Sequence, residues 1–261
     1  MLMIDPELKA QFSPRQPLFD QIMALCGNVY RELENRRTQQ ISLGGKRYFV
    51  KQHFGVGWKE IFKNLLQLRL PVLSAKNEWL ALQRLQALHI PVPEMMGYGC
   101  RGINPAKLQS FLLTRELPAH ISLEDFCKNW RSRPPAFRLK RQLITEVARI
   151  ARTLHENGIN HRDFYLCHFL LNKESLNHTP VLYLIDLHRA QMRKETPLRW
   201  IIKDLAGLYF SSKDIGLTQR DLLRFIIEYR HKSLDWVLTQ EAAFWQRVKQ
   251  RGDKLYQQHT Y

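Results

Sequence analysis

The sequence predicts an α+β fold of two lobes, a small N-terminal lobe made mainly of strands and a larger helical C-terminal lobe. Three observations carry this. Between Val29 and Gln52, short β-prone runs surround a Gly44-Gly45 pair, a hairpin-turn signal. From Arg138 onward apolar residues recur at helical spacing. Inside that helical half two short apolar runs, Phe169-Leu170-Leu171 and Leu182-Tyr183-Leu184-Ile185, read as a small hairpin between Asp163 and Asp186.

Taken in order, the first 25 residues, with Pro6, Pro14 and Pro17, read as an irregular or short helical lead-in. Strands follow at Val29 to Leu33, Thr38 to Leu43 and Arg47 to Lys51. Trp58, Ile61, Phe62, Leu65 and Leu66 then recur on one side of a helix predicted over Trp58 to Leu68, stopped near Leu70-Pro71. Ser74 caps a second helix through Glu78, Trp79, Leu82 and Leu85. His89 to Pro93 is extended, and Phe111 to Thr114 is a further strand. Ser122 opens a short helix, Arg131 to Pro135 breaks the chain, and Arg138 to Glu156 forms a long amphipathic helix ended by Asn157-Gly158. Helices occupy the rest from Arg199.

The 261 residues suit one domain with a substantial core, and 44% hydrophobic content argues against a disordered chain. The apolar runs are too short to span a bilayer, and the first six residues lack the basic start and apolar stretch of a signal peptide. The cysteines at 26, 100, 127 and 167 form no Cys-x-x-Cys pair, which predicts free thiols. With 40 Lys and Arg against 24 Asp and Glu, the net charge of +16 predicts an anionic partner: nucleic acid, membrane or acidic substrate.

The chemistry concentrates in His161-Arg162-Asp163 and in Leu184-Ile185-Asp186. An Asp in a His-Arg-Asp triplet between a helix and an apolar strand is placed to accept a substrate hydroxyl proton. An Asp ending the next strand suits the magnesium that neutralises nucleotide phosphates. Two departures stand out: His168 occupies the place of the metal-binding Asn five residues after Asp163, and Leu187-His188 replaces Phe-Gly after Asp186. Lys51 ends the third strand in Tyr48-Phe49-Val50-Lys51, where a phosphate-binding lysine is expected, and Glu78 is its predicted ion-pair partner ahead of Glu60.

No glycine-rich loop lies between the first two strands. Glu34-Asn35-Arg36-Arg37-Thr38 stands there, so Arg36 and Arg37 either neutralise phosphate or belong to the general basic surface. The backbone near Glu116 is the expected adenine contact, ahead of the Ser122 helix. Together these predict a bilobal, protein-kinase-like domain over 1–261, with an N-lobe over about 1–116, a hinge near 115–120 and a C-lobe over about 121–261. His155, His161, Cys167, His168 and His188 lack zinc-motif spacing; His168 reads instead as a magnesium-side ligand with Asp186 or as a nucleotide contact. The Trp58 to Leu68 helix packs as core, lies at a membrane interface or contacts a lipid substrate; core packing is the default.

The run His161-Arg162-Asp163-Phe164-Tyr165-Leu166-Cys167-His168-Phe169-Leu170-Leu171, with Gly44-Gly45-Lys46-Arg47-Tyr48-Phe49-Val50-Lys51, resembles the lipopolysaccharide core heptose kinases, which are related to Kdo kinases. The resemblance spans most of the chain. It implies ATP-dependent phosphorylation, with magnesium, of the first heptose of the lipopolysaccharide inner core. The acceptor would be heptose-Kdo-lipid A, met by a cytoplasmic enzyme peripheral to the anionic inner membrane, with no nucleic acid partner. A Kdo kinase or another phosphotransferase of this fold is the alternative, and a catalytically dead scaffold the rival of another class.

Overall fold

Residues 1–33, 35–66 and 72–259 are described by the computed structural model, with every side chain among them except that of Asn64. Glu34, the last two residues of the predicted Trp58 to Leu68 helix, and its Leu70-Pro71 stop lie outside the described residues. The chain divides into two units, Met1–Gln83 with Pro93–Leu117, and Arg84–Val92 with Pro118–Tyr261.

The first unit contains β1 (Leu2–Ile4), α1 (Pro6–Lys9), α2 (Leu18–Met23), β2 (Asn28–Leu33), β3 (Arg36–Leu43), β4 (Lys46–His53), α3 (Gly57–Leu66), the start of α4 (Lys76–Ala87), β5 (Met95–Arg101) and β6 (Gln109–Arg115). Its strands form an antiparallel sheet in the order β1-β5-β6-β4-β3-β2. Gly44 and Gly45 turn β3 into β4 at φ +55° and +74°, a two-residue turn open to glycine at both places. Alternation along β4 buries Tyr48 and Val50 in a core with Leu8, Ile22, Met96 and Phe111.

Three features differ from the sequence expectation. The lead-in carries β1, which pairs Leu2, Met3 and Ile4 with Gly99, Tyr98 and Gly97; three residues are too few to show a period. β5 was masked by its glycines, yet Gly99 is needed there, since a Cβ would lie 2.4 Å from the Phe111 ring. Finally, α3 does not pack as core. Ile61 is buried, but Trp58, Phe62, Leu65 and Leu66 are exposed, Leu66 to 86%.

The second unit contains β7 (His120–Ser122), α5 (Leu123–Cys127), α6 (Phe137–Glu156), β8 (Ile159–Asn160), β9 (Phe169–Asn172), β10 (Leu182–Leu184), β11 (Gln191–Met192), α7 (Leu198–Ser211), α8 (Gln219–Arg230), α9 (Leu234–Gln240) and α10 (Ala242–His259). The apolar stripe of α6 (Leu143, Val147, Ile150, Leu154) is buried, as are Leu205 and Leu208 of α7. α6 packs on α8 and α7 on α10. The β9–β10 hairpin is extended by β7, and β8 pairs with β11. An apolar cavity of about 490 Å³ lies among α5, α6, α7, α8 and α10. Among the described residues no helix is long and apolar enough to cross a membrane, and all four cysteines are free.

Candidate active site

In the first unit Lys51 sits on β4 between Thr38 of β3 and Leu112 of β6. Its Nζ donates to Glu78 Oε1 at 2.5 Å. Glu78 lies in the first turn of α4 and is 4% exposed, so its charge is matched by Lys51 in a partly dry setting. Glu60 instead reaches Lys63 at 3.6 Å on α3.

Arg36 and Arg37 belong to β3, two residues earlier than the predicted strand start, because Leu33 already pairs with Arg36. Arg37 donates to Glu32 Oε1 at 2.9 and 2.6 Å. The Glu116 N–H donates to the Arg47 carbonyl at 3.0 Å, and its carboxylate takes Gln40 at 2.6 Å and Arg47 at 2.5 Å.

In the second unit the loop bearing Asp163 is fixed from below by a residue the sequence reading missed. Asp204 of α7 is 1% exposed and accepts from the backbone N–H of His161 at 2.6 Å and of Arg162 at 2.9 Å. Arg162 holds φ +76°, a left-handed conformation unfavourable for a side-chain-bearing residue. The two charge-assisted bonds to Asp204 offset that strain. Gly158, at φ +75°, admits the chain into β8: a Cβ there would lie 1.9 Å from the Arg193 carbonyl.

The loop is tied to the hairpin on three sides. His161 Nε2 donates to the Ile185 carbonyl at 3.0 Å, and the Ile185 N–H donates to the His168 carbonyl at 3.0 Å. His168 Nδ1 donates to the Asp163 carbonyl at 2.6 Å. His161 is fully buried, and burial holds its imidazole below the usual range, so the ring is neutral. The Asp163 carboxylate receives Arg189 Nη1 at 2.8 and 3.0 Å on its two oxygens. Asp186, at φ +61° and ψ +51°, receives His188 Nδ1 at 2.5 Å.

His168 and Asp186, predicted to hold a cation, lie together: His168 Nε2 is 3.5 Å from Asp186 Oδ2. With Nδ1 spent as a donor to Asp163, His168 presents its Nε2 edge to the carboxylate. An imidazole nitrogen and a carboxylate oxygen this close are spaced so that one divalent cation could be held by both. Among the described residues no group of three or more His, Cys, Asp or Glu forms a full ligand set, so further ligands would be phosphate or water oxygens. Burial first, then Glu124, push the nearby Cys167 thiol up to about 11, leaving it neutral.

Asp204 did leave a trace in the sequence. Ile201, Asp204, Leu205 and Leu208 share one helix stripe, and a charge on an apolar stripe is anomalous. Arg189 left none, being one cation among many.

A strand-built unit with a half-buried Lys–Glu pair and a helical unit with two aspartates around a hairpin make up a kinase-like fold. Residues 20–229 match the Lipopolysaccharide kinase (Kdo/WaaP) family. The chain is 47% identical over 262 residues to the lipopolysaccharide core heptose(I) kinase WaaP of Pseudomonas aeruginosa, covering 98% of this chain and 96% of that one. It is 46% identical over 239 residues to the protein of the same name from Escherichia coli K12, covering 91% and 90%. A solved structure, WaaP in complex with acyl carrier protein, matches with a TM-score of 0.83 and 42% identity over 98% of this chain and 99% of that chain. The chain belongs to the lipopolysaccharide kinase (Kdo/WaaP) family.

Proposed function

We propose that this protein is an ATP-dependent kinase that phosphorylates the first heptose of the lipopolysaccharide inner core. The near full-length likeness to heptose(I) kinases supports the reaction and acceptor. The single observation that carries the site is the Asp163 loop, held by Asp204 beneath and joined by His168 to Asp186.

Asp163 orients the acceptor hydroxyl and takes its proton as the oxygen attacks the terminal phosphorus of ATP. The bond from that phosphorus to the bridging oxygen breaks in line, and ADP leaves. Arg189 fixes the carboxylate that does this. Lys51, oriented by Glu78, binds the ATP phosphates. Arg36 and Arg37, on the strand β3, are proposed as further phosphate contacts. Adenine is met by the backbone at the Glu116 carbonyl and Leu117, the Glu116 N–H being already engaged. Asp186 and His168 would hold magnesium, which neutralises charge on the phosphates. In this reading 1–116 is an N-lobe, 115–120 a hinge and 121–261 a C-lobe.

The enzyme works in the cytoplasm, peripheral to the inner membrane, with α3 as the contact. Its exposed Trp58, Phe62, Leu65 and Leu66 are interleaved with Lys59 and Lys63. Acyl carrier protein, captured with the solved relative, is proposed as a partner of this chain too, testable by co-elution. The acceptor is tested by incubating the protein with ATP and dephosphorylated core and locating the new phosphate by mass spectrometry. Phosphate on the first heptose is expected; phosphate on Kdo from a heptose-free acceptor would move the activity to the other sugar.

A further inference from the structure

Positive charge in the second unit gathers around one indole. Arg162 Cζ and Lys203 Nζ each lie 5.2 Å from the Trp200 ring centre, Arg199 Cζ 5.5 Å and Arg193 Cζ 6.0 Å. One ring offers two faces, so four cations crowded on it repel one another more than the ring attracts them. Burial first, then Arg189, lowers the proton affinity of Arg162; burial first, then Arg162 and Arg189, does the same to Lys203.

Asp163 and Asp204 act on Arg162, and Asp163 on Lys203, only from a distance and less than burial does; no Asp or Glu among the described residues forms an ion pair with any of the four. Arg193 donates to two neutral amide oxygens, Asn160 Oδ1 at 2.7 Å and Gln191 Oε1 at 2.6 Å. Two donors within the cluster, Arg162 Nε and Trp200 Nε1, are buried with no hydrogen-bond partner. Arg199, Trp200 and Lys203 also occupy the first turns of the 14-residue helix α7, whose N-cap Pro197 supplies no side-chain acceptor. The positive end of the helix dipole therefore adds to the cationic field.

A solvated basic face is the ordinary account of clustered arginines. It does not fit here, because Arg162, Trp200 and Lys203 are partly buried and so are kept from spreading apart into water. The cluster also borders the chemistry: Arg162 precedes Asp163 in the chain.

We propose that this cluster is an anion site, holding a carboxylate or phosphate group of the acceptor beside the hydroxyl that Asp163 deprotonates. The proposal rests on the kinase reading and names what positions the acceptor within it. Bidentate guanidinium and indole N–H donors suit a planar carboxylate or a phosphate, and a neutral sugar would leave the cations unanswered.

The test compares wild type with the Arg199→Gln/Lys203→Gln double variant and with Arg199→Gln alone, which alters an exposed residue and keeps the comparison open should the double variant fold poorly. Lys128→Gln, an exposed charge removed elsewhere on the unit, is the control. Each is assayed on core acceptor with its carboxylates intact or reduced to alcohols, and with its phosphates intact or removed. Losing two charge-assisted contacts should raise the acceptor KM of the double variant about tenfold or more, with the ATP KM unchanged.

The difference should vanish on the carboxyl-reduced acceptor if the anion is a carboxylate, and on the dephosphorylated one if it is a phosphate. An unchanged acceptor KM, or a rise confined to the ATP KM, overturns the site. Should wild type fail to phosphorylate the core at all, the kinase reading falls instead. Calorimetric titration of the acceptor oligosaccharide into wild type and variant then still decides the anion site, by whether the variant binds more weakly.

Discussion

Asp204 carries no proposed chemistry of its own, yet it holds the backbone of the Asp163 loop in place. Its carboxylate receives two backbone N–H groups of the loop and lies 3.5 Å from His155 Nε2, all in a buried setting. Asp204→Asn keeps the shape, removes the charge and turns an amide N–H₂ toward one of those donors. The expected result is kcat down tenfold or more with acceptor KM little changed, and a stability loss of about 2–4 kcal/mol by denaturant titration. Unchanged kcat would separate the loop from its anchor. At this scale the Lys51–Glu78 pair was legible, and Asp163 and Asp186 stood out as proposed site residues, because each is tied to a local pattern: a strand beside a helix first turn, a triplet after a helix, the residue after an apolar strand. It hid Arg189 altogether and showed Asp204 only as a charge on an apolar stripe, because their partners lie 26, 43 and 42 residues away and are joined only by folding.

Among the elements, α8 shows how one carboxylate serves two ends. Asp221 closes the capping box with Thr218 and receives Lys140 of α6 at 2.7 Å. Burial pushes its carboxyl up, but Lys140 and Thr218 outweigh burial and hold it below the usual range. A carboxyl whose folded pKa is depressed contributes stability above its unfolded value, about 3.9. That contribution is lost as pH falls through the folded value. Asp221→Asn should therefore destabilise by about 2–3 kcal/mol at pH 7, with the gap to wild type closing as pH falls below about 4 in a thermal-melt series. A gap independent of pH would contradict the ion pair.

The exposed face of α3 makes a second prediction at this scale. Trp58→Glu with Phe62→Glu should abolish flotation with anionic vesicles and leave activity on water-soluble core unchanged. The helical period of α3 was legible in the sequence, but which face it buries was not, since periodicity shows an apolar stripe without showing what covers it. β1 and β5 were missed for opposite reasons, one too short and one too rich in glycine.

For the molecule as a whole, +16 makes encounter with an anionic acceptor dependent on ionic strength. Raising salt from 50 to 300 mM should increase the acceptor KM several-fold and leave kcat nearly constant, because screening acts on approach and not on the bound chemistry. The division into strand-rich and helical halves was readable from the change of period alone, and the paired aspartates said what kind of chemistry the helical half serves. The connections that hold the site lie between distant segments, beyond any window along the chain. Asp163 is the proposed base of the sugar phosphotransfer. Its most direct test is single-turnover phosphorylation of dephosphorylated core by wild type and by Asp163→Asn, the fold of both verified by thermal melt. The rate should fall by about a thousandfold or more in the variant, with ATP binding retained. A variant within a few-fold of wild type would contradict it.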